Sequence, residues 1–417
     1  VETSFIKFPN PIRFYGYLQP MPQKEALLIT INSLRSGGAE RVVSQLLWFL
    51  SKEFEVHLAL YSPIIEFNIP EEVKIFDMNQ SEEEGAAKML FKLPAMAKKL
   101  AAYCKTNNIR YSIAFLNRPC YLNTLMRKWY GYKGRIVMCE RTHQTAMLST
   151  KSWLTRFMTR LLIPIAYNTA DLVLANAEAM KQDLIKTMHV RKPIAVIYNP
   201  INIPIIEQKA KEPVNFTKEP GVFYFIAVGN FRKEKNFPLL IEAFNGMKNK
   251  TCTLILVGNG PDMGRIEALL AGAGTTQRVI FTGMQRNPYK WMGLADAFVL
   301  PSDVEGFPNV LLEALAVGLP AIATDCFCGP REMIAPQNGE TGSLKGHYQE
   351  VEFGILTPVG SPETLAIAMD RMASDITLRE RLIERSRNRA MVFALPEVAR
   401  QYEEAFSGRG SFQNKEC

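Results

Sequence analysis

Short apolar runs recur along this chain, bounded by turn residues and separated by stretches of helical period. Ala26-Leu27-Leu28-Ile29-Thr30-Ile31 reads as a buried strand, and a helical pattern follows from Arg41 to Ser51. Glu55-Val56-His57-Leu58-Ala59-Leu60 reads as the next strand, with others at 111–115, 135–139, 172–174 and 194–197. Buried strands alternating with helices predict a parallel sheet covered on both faces. Near 199 the pattern changes. Tyr198-Asn199-Pro200-Ile201-Asn202-Ile203-Pro204 reads as a turn-rich crossing, and residues 205–220 are polar with prolines at 213 and 220, which places a linker there. A second alternation opens at Phe223-Tyr224-Phe225-Ile226-Ala227-Val228 and continues through strands near 253–257, 279–281, 297–300 and 321–323. Helical stretches fall near 237–247, 262–272, 288–294 and 309–317, residues 337–353 read as a polar loop, and 376–406 as terminal helices broken near Pro396. The expected fold class is α/β, with two Rossmann-like, doubly wound parallel-sheet domains facing each other across a cleft. Ligands then sit at the carboxyl ends of the strands.

A length of 417 residues agrees with more than one core, at about 150 residues per domain. No apolar run reaches the ~18 residues that span a bilayer, and Val1 to Lys7 show no apolar leader core. Seven cysteines at 104, 120, 139, 252, 326, 328 and 417 form no framework and read as reduced thiols, so a cytoplasmic protein is expected. Charge does change the picture. Residues 1–213 carry 28 Lys and Arg against 18 Asp and Glu, a net +10, whereas 214–417 carry 21 against 23, a net −2. A basic first half points to a polyanion or an anionic membrane surface, although charge alone slightly favours a merely soluble face.

Candidate chemistry gathers at strand ends. After the apolar run Ala297–Leu300 and Pro301 comes Ser302-Asp303-Val304-Glu305-Gly306-Phe307-Pro308-Asn309-Val310-Leu311-Leu312-Glu313. A helix starting near Asn309 exposes unpaired N–H groups and the positive end of its dipole, which suits a diphosphate. Gly306 permits close backbone approach, Pro308 tolerates the helix start and Asn309 is a suitable cap. Glu313 inside the helix suits a ribose diol, and Glu305, eight positions earlier, suits sugar hydroxyls or developing positive charge. A second element, Gly229-Asn230-Phe231-Arg232-Lys233-Glu234-Lys235-Asn236, follows a strand as a glycine and a basic loop, and Arg232 or Lys235 can neutralise a leaving diphosphate. A third, Ser36-Gly37-Gly38-Ala39-Glu40, reads either as a ligand-approach site at a helix start or as a tight turn. A fourth, Cys139-Glu140-Arg141-Thr142-His143, sits at a strand's carboxyl end, where His143 is a candidate for function or for structure. There is no Walker A lysine loop, no Gly-x-Ser-x-Gly elbow, no His/Cys metal cluster and no Asp-x-Asp diphosphate-metal site. Metal-independent chemistry is therefore expected, with no metal ligands.

Taken together these residues resemble the GT-B retaining glycosyltransferases of family 4, also called glycosyl transferases group 1. The likeness spans most of the chain and is strongest from about 222 to 373. It rests on Glu305 and Glu313, Val228-Gly229, Lys235-Asn236, Leu256-Val257-Gly258-Asn259-Gly260-Pro261 and Phe281-Thr282-Gly283, and in the first half on Gly37-Gly38-Ala39-Glu40, Glu140–His143 and Asn199-Pro200. The resemblance implies an acceptor-binding domain over 1–202, joined by a terminal helix at about 393–417, and a nucleotide-sugar-binding domain over 203–392. It implies a nucleotide diphosphate sugar as co-substrate, no other cofactor, and transfer with retained configuration. By resemblance Lys235 meets the diphosphate, with Gly38, Gly229, Asn230 and Arg232 also on the donor side. Backbone near Met284 meets the base, and Phe307 to Leu311 meet sugar and phosphates. Glu313 takes the ribose, Glu305 lies near the donor sugar, and His143 faces the reacting sugar, with Gly37 and Gly38 on the acceptor side. The family usually carries arginine directly after the glycine, where this chain has Asn230, and Arg232 is the candidate substitute.

Two segments of the basic half, Lys88–Leu100 and Lys151–Leu162, mix Lys and Arg with Phe, Trp, Met and Leu, as interfacial segments do and as helices with a core face also do. On the membrane reading the enzyme is peripheral on the cytoplasmic face, its acceptor is a lipid-linked glycan, and its work is synthesis of cell-surface polysaccharide or glycoconjugate. UDP is favoured over GDP on family frequency. No nucleic-acid partner is expected. A nucleotide-sugar epimerase or sugar phosphorylase of the same fold stays open, as does a non-catalytic polyanion-binding protein.

Overall fold

The structure is a computed structural model that describes residues 24–35, 37–80, 86–148, 151–272, 278–337, 342 and 344–408, with backbone alone at 86–90 and 278. The first half contributes strands β1 (Ala26–Ile31), β2 (Glu55–Leu60), β3 (Lys74–Asp77), β4 (Tyr111–Phe115), β5 (Arg135–Glu140), β6 (Leu172–Ala175) and β7 (Ile194–Val196). Between them run helices α1 (Gly38–Glu53), α2 (Ala86–Thr106), α3 (Asn117–Tyr130), α4 (Gln144–Leu148), α5 (Trp153–Tyr167) and α6 (Glu178–Lys186). The strands form one parallel sheet in the order β3-β2-β1-β4-β5-β6-β7. β1 and β4 are buried at every position, as central strands covered on two faces must be. α1 turns Val42, Val43, Leu46, Leu47 and Leu50 onto that sheet, a three-and-four spacing. Truncating one such leucine to alanine costs about 2–5 kcal/mol.

The second half repeats the plan. Helix α7 (Ile203–Ala210) leads into β8 (Phe223–Val228), β9 (Cys252–Val257), β10 (Arg278–Gly283), β11 (Ala297–Leu300), β12 (Ala321–Thr324), β13 (Gln349–Val351) and β14 (Gly354–Thr357). Its other helices are α8 (Phe237–Gly246), α9 (Met263–Gly272), α10 (Tyr289–Leu294), α11 (Asn309–Val317), α12 (Pro330–Ile334), α13 (Pro362–Ser374) and α14 (Ile376–Met391). The sheet order is β10-β9-β8-β11-β12-β14-β13, parallel except for the β13–β14 pair.

The polar reading of 205–220 is corrected at its start. Asn202 caps α7 through Ile205 N–H, and Ile203 and Ile206 join the second core while Glu207, Gln208 and Lys209 face outward. Likewise 337–353 is not wholly loop, since it contains β13; residues 338–341 and 343 lie outside the described residues.

The backbone passes between the lobes twice. Ile201 N–H donates to Phe393 O at 2.8 Å and Leu395 N–H to Ile201 O at 2.9 Å, so the two crossings are clamped together. Helix α15 (Leu395–Ser407) then buries Val398, Ala399, Tyr402, Ala405 and Phe406 in the first lobe's core. Residues 409–417 lie outside the described residues. In each sheet the strand order reverses beside the first strand, at β1/β4 and at β8/β11. Those reversals open the crevices where open α/β sheets take ligands.

Candidate active site

The loops after β8 and β11 are neighbours because their strands are. Asp303 N–H donates to Glu234 O at 2.9 Å and Asn236 Nδ2 to Asp303 Oδ1 at 2.8 Å, which stitches the two loops together. Burial raises the Asp303 carboxyl above its usual value, against the opposing pull of Asn236 and Lys233. Lys235 ends a short 3-10 turn, and its Nζ lies 2.6 and 2.7 Å from the two oxygens of Glu305. Ser302 Oγ donates to the same carboxylate at 2.6 Å. The structure thus joins Lys235 and Glu305, 70 positions apart, as one partly buried ion pair just before the start of α11.

That helix start differs from the sequence expectation in one respect. Pro308 occupies the cap position and Asn309 is the first helical residue, so Asn309 does not cap α11. No side chain caps the helix and no acidic residue stands in its first turn. The amides of Asn309 and Val310 are left without intrahelical acceptors. The Asn309 side chain instead spans the cleft, accepting from Asn199 Nδ2 at 2.6 Å and donating to Gly38 O at 3.1 Å. Phe307 is stacked on Tyr198 and meets Phe393 at a tilt, and Pro308 and Leu311 are buried, so these three offer a ligand backbone rather than side chain. Gly306 is needed for proximity: a Cβ there would lie 2.9 Å from Arg141 O of the first lobe.

Gly229, Asn230 and Arg232 form the turn after β8, where Arg232 N–H donates to Asn230 O at 2.8 Å and both side chains are exposed. The turn is packed backbone to backbone on the next loop. A Cβ on Gly258 would lie 1.9 Å from Gly229 O. Met284, just past β10, is exposed at the rim.

On the first lobe, Gly37 precedes α1 and Gly38 begins it. Ser36 lies outside the described residues. A Cβ on Gly37 would meet the Glu40 carboxylate, which folds back over the helix start. The α1 dipole therefore already faces a negative charge of its own first turn, whereas the first turn of α11 carries no acidic residue. At the end of β5, Glu140 is buried and accepts from the amides of Arg141 and Thr142 and from Gln144 and Tyr167. Burial raises its carboxyl above the usual range despite those bonds. This fixes the turn carrying His143. His143 Nδ1 accepts from Ala146 N–H at 3.3 Å and lies 3.5 Å from Asp183, and the ring is 6.1 Å from Phe327 across the cleft.

Several site residues were not singled out in the sequence. Arg41 in the first turn of α1 reaches across to Glu313 and Tyr289, and Glu332 of α12 receives the amides of Glu178 and Ala179 at the start of α6. Arg41 follows Gly37-Gly38-Ala39-Glu40 directly, a signal that was available; the others are placed by tertiary packing alone.

Two family models match the chain: Glycosyltransferase Family 4 over residues 36–203 and Glycosyl transferases group 1 over 208–389. A Campylobacter jejuni protein, N-acetylgalactosamine-N,N'-diacetylbacillosaminyl-diphospho-undecaprenol 4-alpha-N-acetylgalactosaminyltransferase, is 33% identical over 90% of this chain and 98% of its own length. The chain belongs to the glycosyl transferases group 1. Among solved structures this glycosyltransferase is similar to sucrose-phosphate synthase from Thermosynechococcus elongatus, with TM-score 0.74 and 17% identity over 91% of this chain and 98% of that one. It is also similar to HepE of Anabaena, solved with UDP and glucose, with TM-score 0.70 and 17% identity over 91% and 98%. The fold is GT-B.

Proposed function

We propose that this glycosyltransferase moves a sugar from a nucleotide diphosphate sugar, with UDP favoured, to a lipid-linked glycan, retaining anomeric configuration, during assembly of a cell-surface polysaccharide or glycoconjugate. The observation that carries the reading is the Lys235–Glu305 pair beside the uncapped start of α11, at the strand-order reversal of the second sheet. In this reading the amides of Asn309 and Val310 and the Lys235 ammonium hold the diphosphate, Glu313 holds the ribose, Glu305 lies by the donor sugar, and His143 faces the reacting sugar from the other lobe. Positive charge for the leaving group comes from Lys235 and the α11 dipole, so the reaction needs neither metal nor further cofactor. Glu305 is tied to Lys235 and Ser302, which suits an electrostatic role better than that of a free nucleophile. Attack from the face of the departing diphosphate, which takes the acceptor's proton, then retains configuration. The contacts between lobes exclude water and limit donor hydrolysis.

The lipid-linked acceptor is supported by α5. Every residue from Lys151 to Met158 is exposed, and Trp153, Leu154, Phe157, Leu161 and Ile165 leave an apolar stripe uncovered beside Lys151, Arg156 and Arg160. Residues 151–167 carry no acid. Among the described residues no helix is long and apolar enough to cross a membrane, so this stripe is read as lying on an anionic bilayer surface, peripherally. Incubation with a panel of UDP- and GDP-sugars and a polyprenyl-diphosphate-linked glycan tests the proposal. An acceptor-dependent, α-linked product from an α-linked donor is expected. Turnover that proceeds equally without acceptor, or an inverted product, contradicts it.

A further inference from the structure

We infer that Arg41 is a donor-positioning residue supplied by the first lobe, which exchanges the Glu313 carboxylate for the donor's diphosphate when a nucleotide sugar binds. The inference rests on the proposed donor site. Arg41 Nη1 donates to Glu313 Oε1 and, at 3.2 Å, to Tyr289 Oη, while Tyr289 Oη lies 3.4 Å from the same Glu313 oxygen. The pair lies on two helices whose beginnings meet. Gly38, the first residue of α1, accepts from Asn309, the first residue of α11; Arg41 lies three positions on from one and Glu313 four positions on from the other. Each charged group therefore sits one turn from the point where the two dipoles converge.

Two features make an exchange the economical outcome. The Glu313 side chain is only 6% exposed, so its charge needs a partner at all times, whereas that of Arg41 is 33% exposed and borders solvent. The contacts also crowd one oxygen, since both Arg41 and Tyr289 address Oε1. A ribose diol that uses both carboxylate oxygens must take Oε1 from Arg41. The released guanidinium stands one turn from the α11 amides, where a diphosphate offers it a forked acceptor. Every charge keeps a partner before and after: Arg41 with Glu313 at first, then Arg41 with diphosphate and Glu313 with ribose.

The exchange separates nucleoside from nucleotide affinity. Calorimetric and NMR titrations with uridine and UDP, and with guanosine and GDP as a second pair, compare wild type with Arg41→Met and Arg41→Lys. Arg41→Met is expected to bind the nucleoside about threefold or more tighter, because a competitor for Glu313 is gone, and the diphosphate about tenfold or more weaker. Arg41→Lys, which keeps the charge without the fork, is expected to recover part of the diphosphate affinity. An unchanged ratio of nucleotide to nucleoside affinity in a folded Arg41→Met protein overturns the inference, and so does an equal loss for both ligands. If wild type binds neither diphosphate, the donor site itself is wrong; if it binds one and the ratio does not move, only the exchange is.

Discussion

Shaving the apolar stripe of α5 should uncouple the enzyme from membranes. Trp153 is 77% and Phe157 59% exposed, so most of each side chain is available to a bilayer interface. Full burial of such a side chain is worth roughly 1.5–3 kcal/mol. Scaling by the exposed fractions gives about 3 kcal/mol for the two together, which is about 100-fold in partition coefficient. Lys151, Arg156 and Arg160 add about 1 kcal/mol each near an anionic surface, a contribution that salt screens. The assay is flotation with vesicles of phosphatidylcholine, with and without phosphatidylglycerol, at low and high salt. Wild type should float with anionic vesicles and lose much of that binding in high salt. The Trp153→Ala, Phe157→Ala double variant should remain in the soluble fraction, melt at an unchanged temperature and still turn over a detergent-soluble acceptor. Equal flotation of wild type and variant would show that the stripe does not bind lipid. Absence of wild-type flotation would remove the support for a lipid-linked acceptor.

The crossing contacts give two further expectations. Gly306→Ala sets a methyl 2.9 Å from Arg141 O, so the lobes must part by a few tenths of an ångström; turnover should fall by up to about 100-fold with little change in thermal stability, and an unimpaired rate would mean the lobes need not meet at this point. Burial raises the Glu332 carboxyl above its ordinary value although the Glu178 and Ala179 amides pull the other way. The folded protein then holds that proton more tightly than the unfolded chain, so the Glu332 contribution is present below the usual glutamate range and is lost as pH rises through the raised value. The melting temperature of Glu332→Gln relative to wild type should therefore rise as pH is increased from about 4.3 toward neutrality, and a pH-independent difference would refute the assignment.

The alternation of buried strands and helices was legible in the chain because both central sheets bury their strands on two faces. Elements that escaped lack that mark. β3 is an edge strand exposed at three of its four positions, and β13 is a three-residue antiparallel edge. The α7 helix was hidden because two buried isoleucines carry its packing among charged neighbours. At the site, Glu305, Lys235 and the α11 start could be read from loops that follow strands, since backbone chemistry at a helix end is local. The Arg41–Glu313 pair joins residues 272 positions apart, and Asn309 is held by Asn199 and Gly38 rather than by its own helix. Such partners exist only once two sheets face each other, and no local period encodes them.

The central claim is that the start of α11 and Lys235 together grip the diphosphate of an activated sugar. A crystal structure with bound UDP or GDP tests it most directly. The account predicts phosphate oxygens within hydrogen-bond reach of the Asn309 or Val310 amides and of Lys235 Nζ, with the ribose on Glu313. Nucleotide bound elsewhere, or Lys235 and Glu313 untouched by it at saturating concentration, would contradict the account.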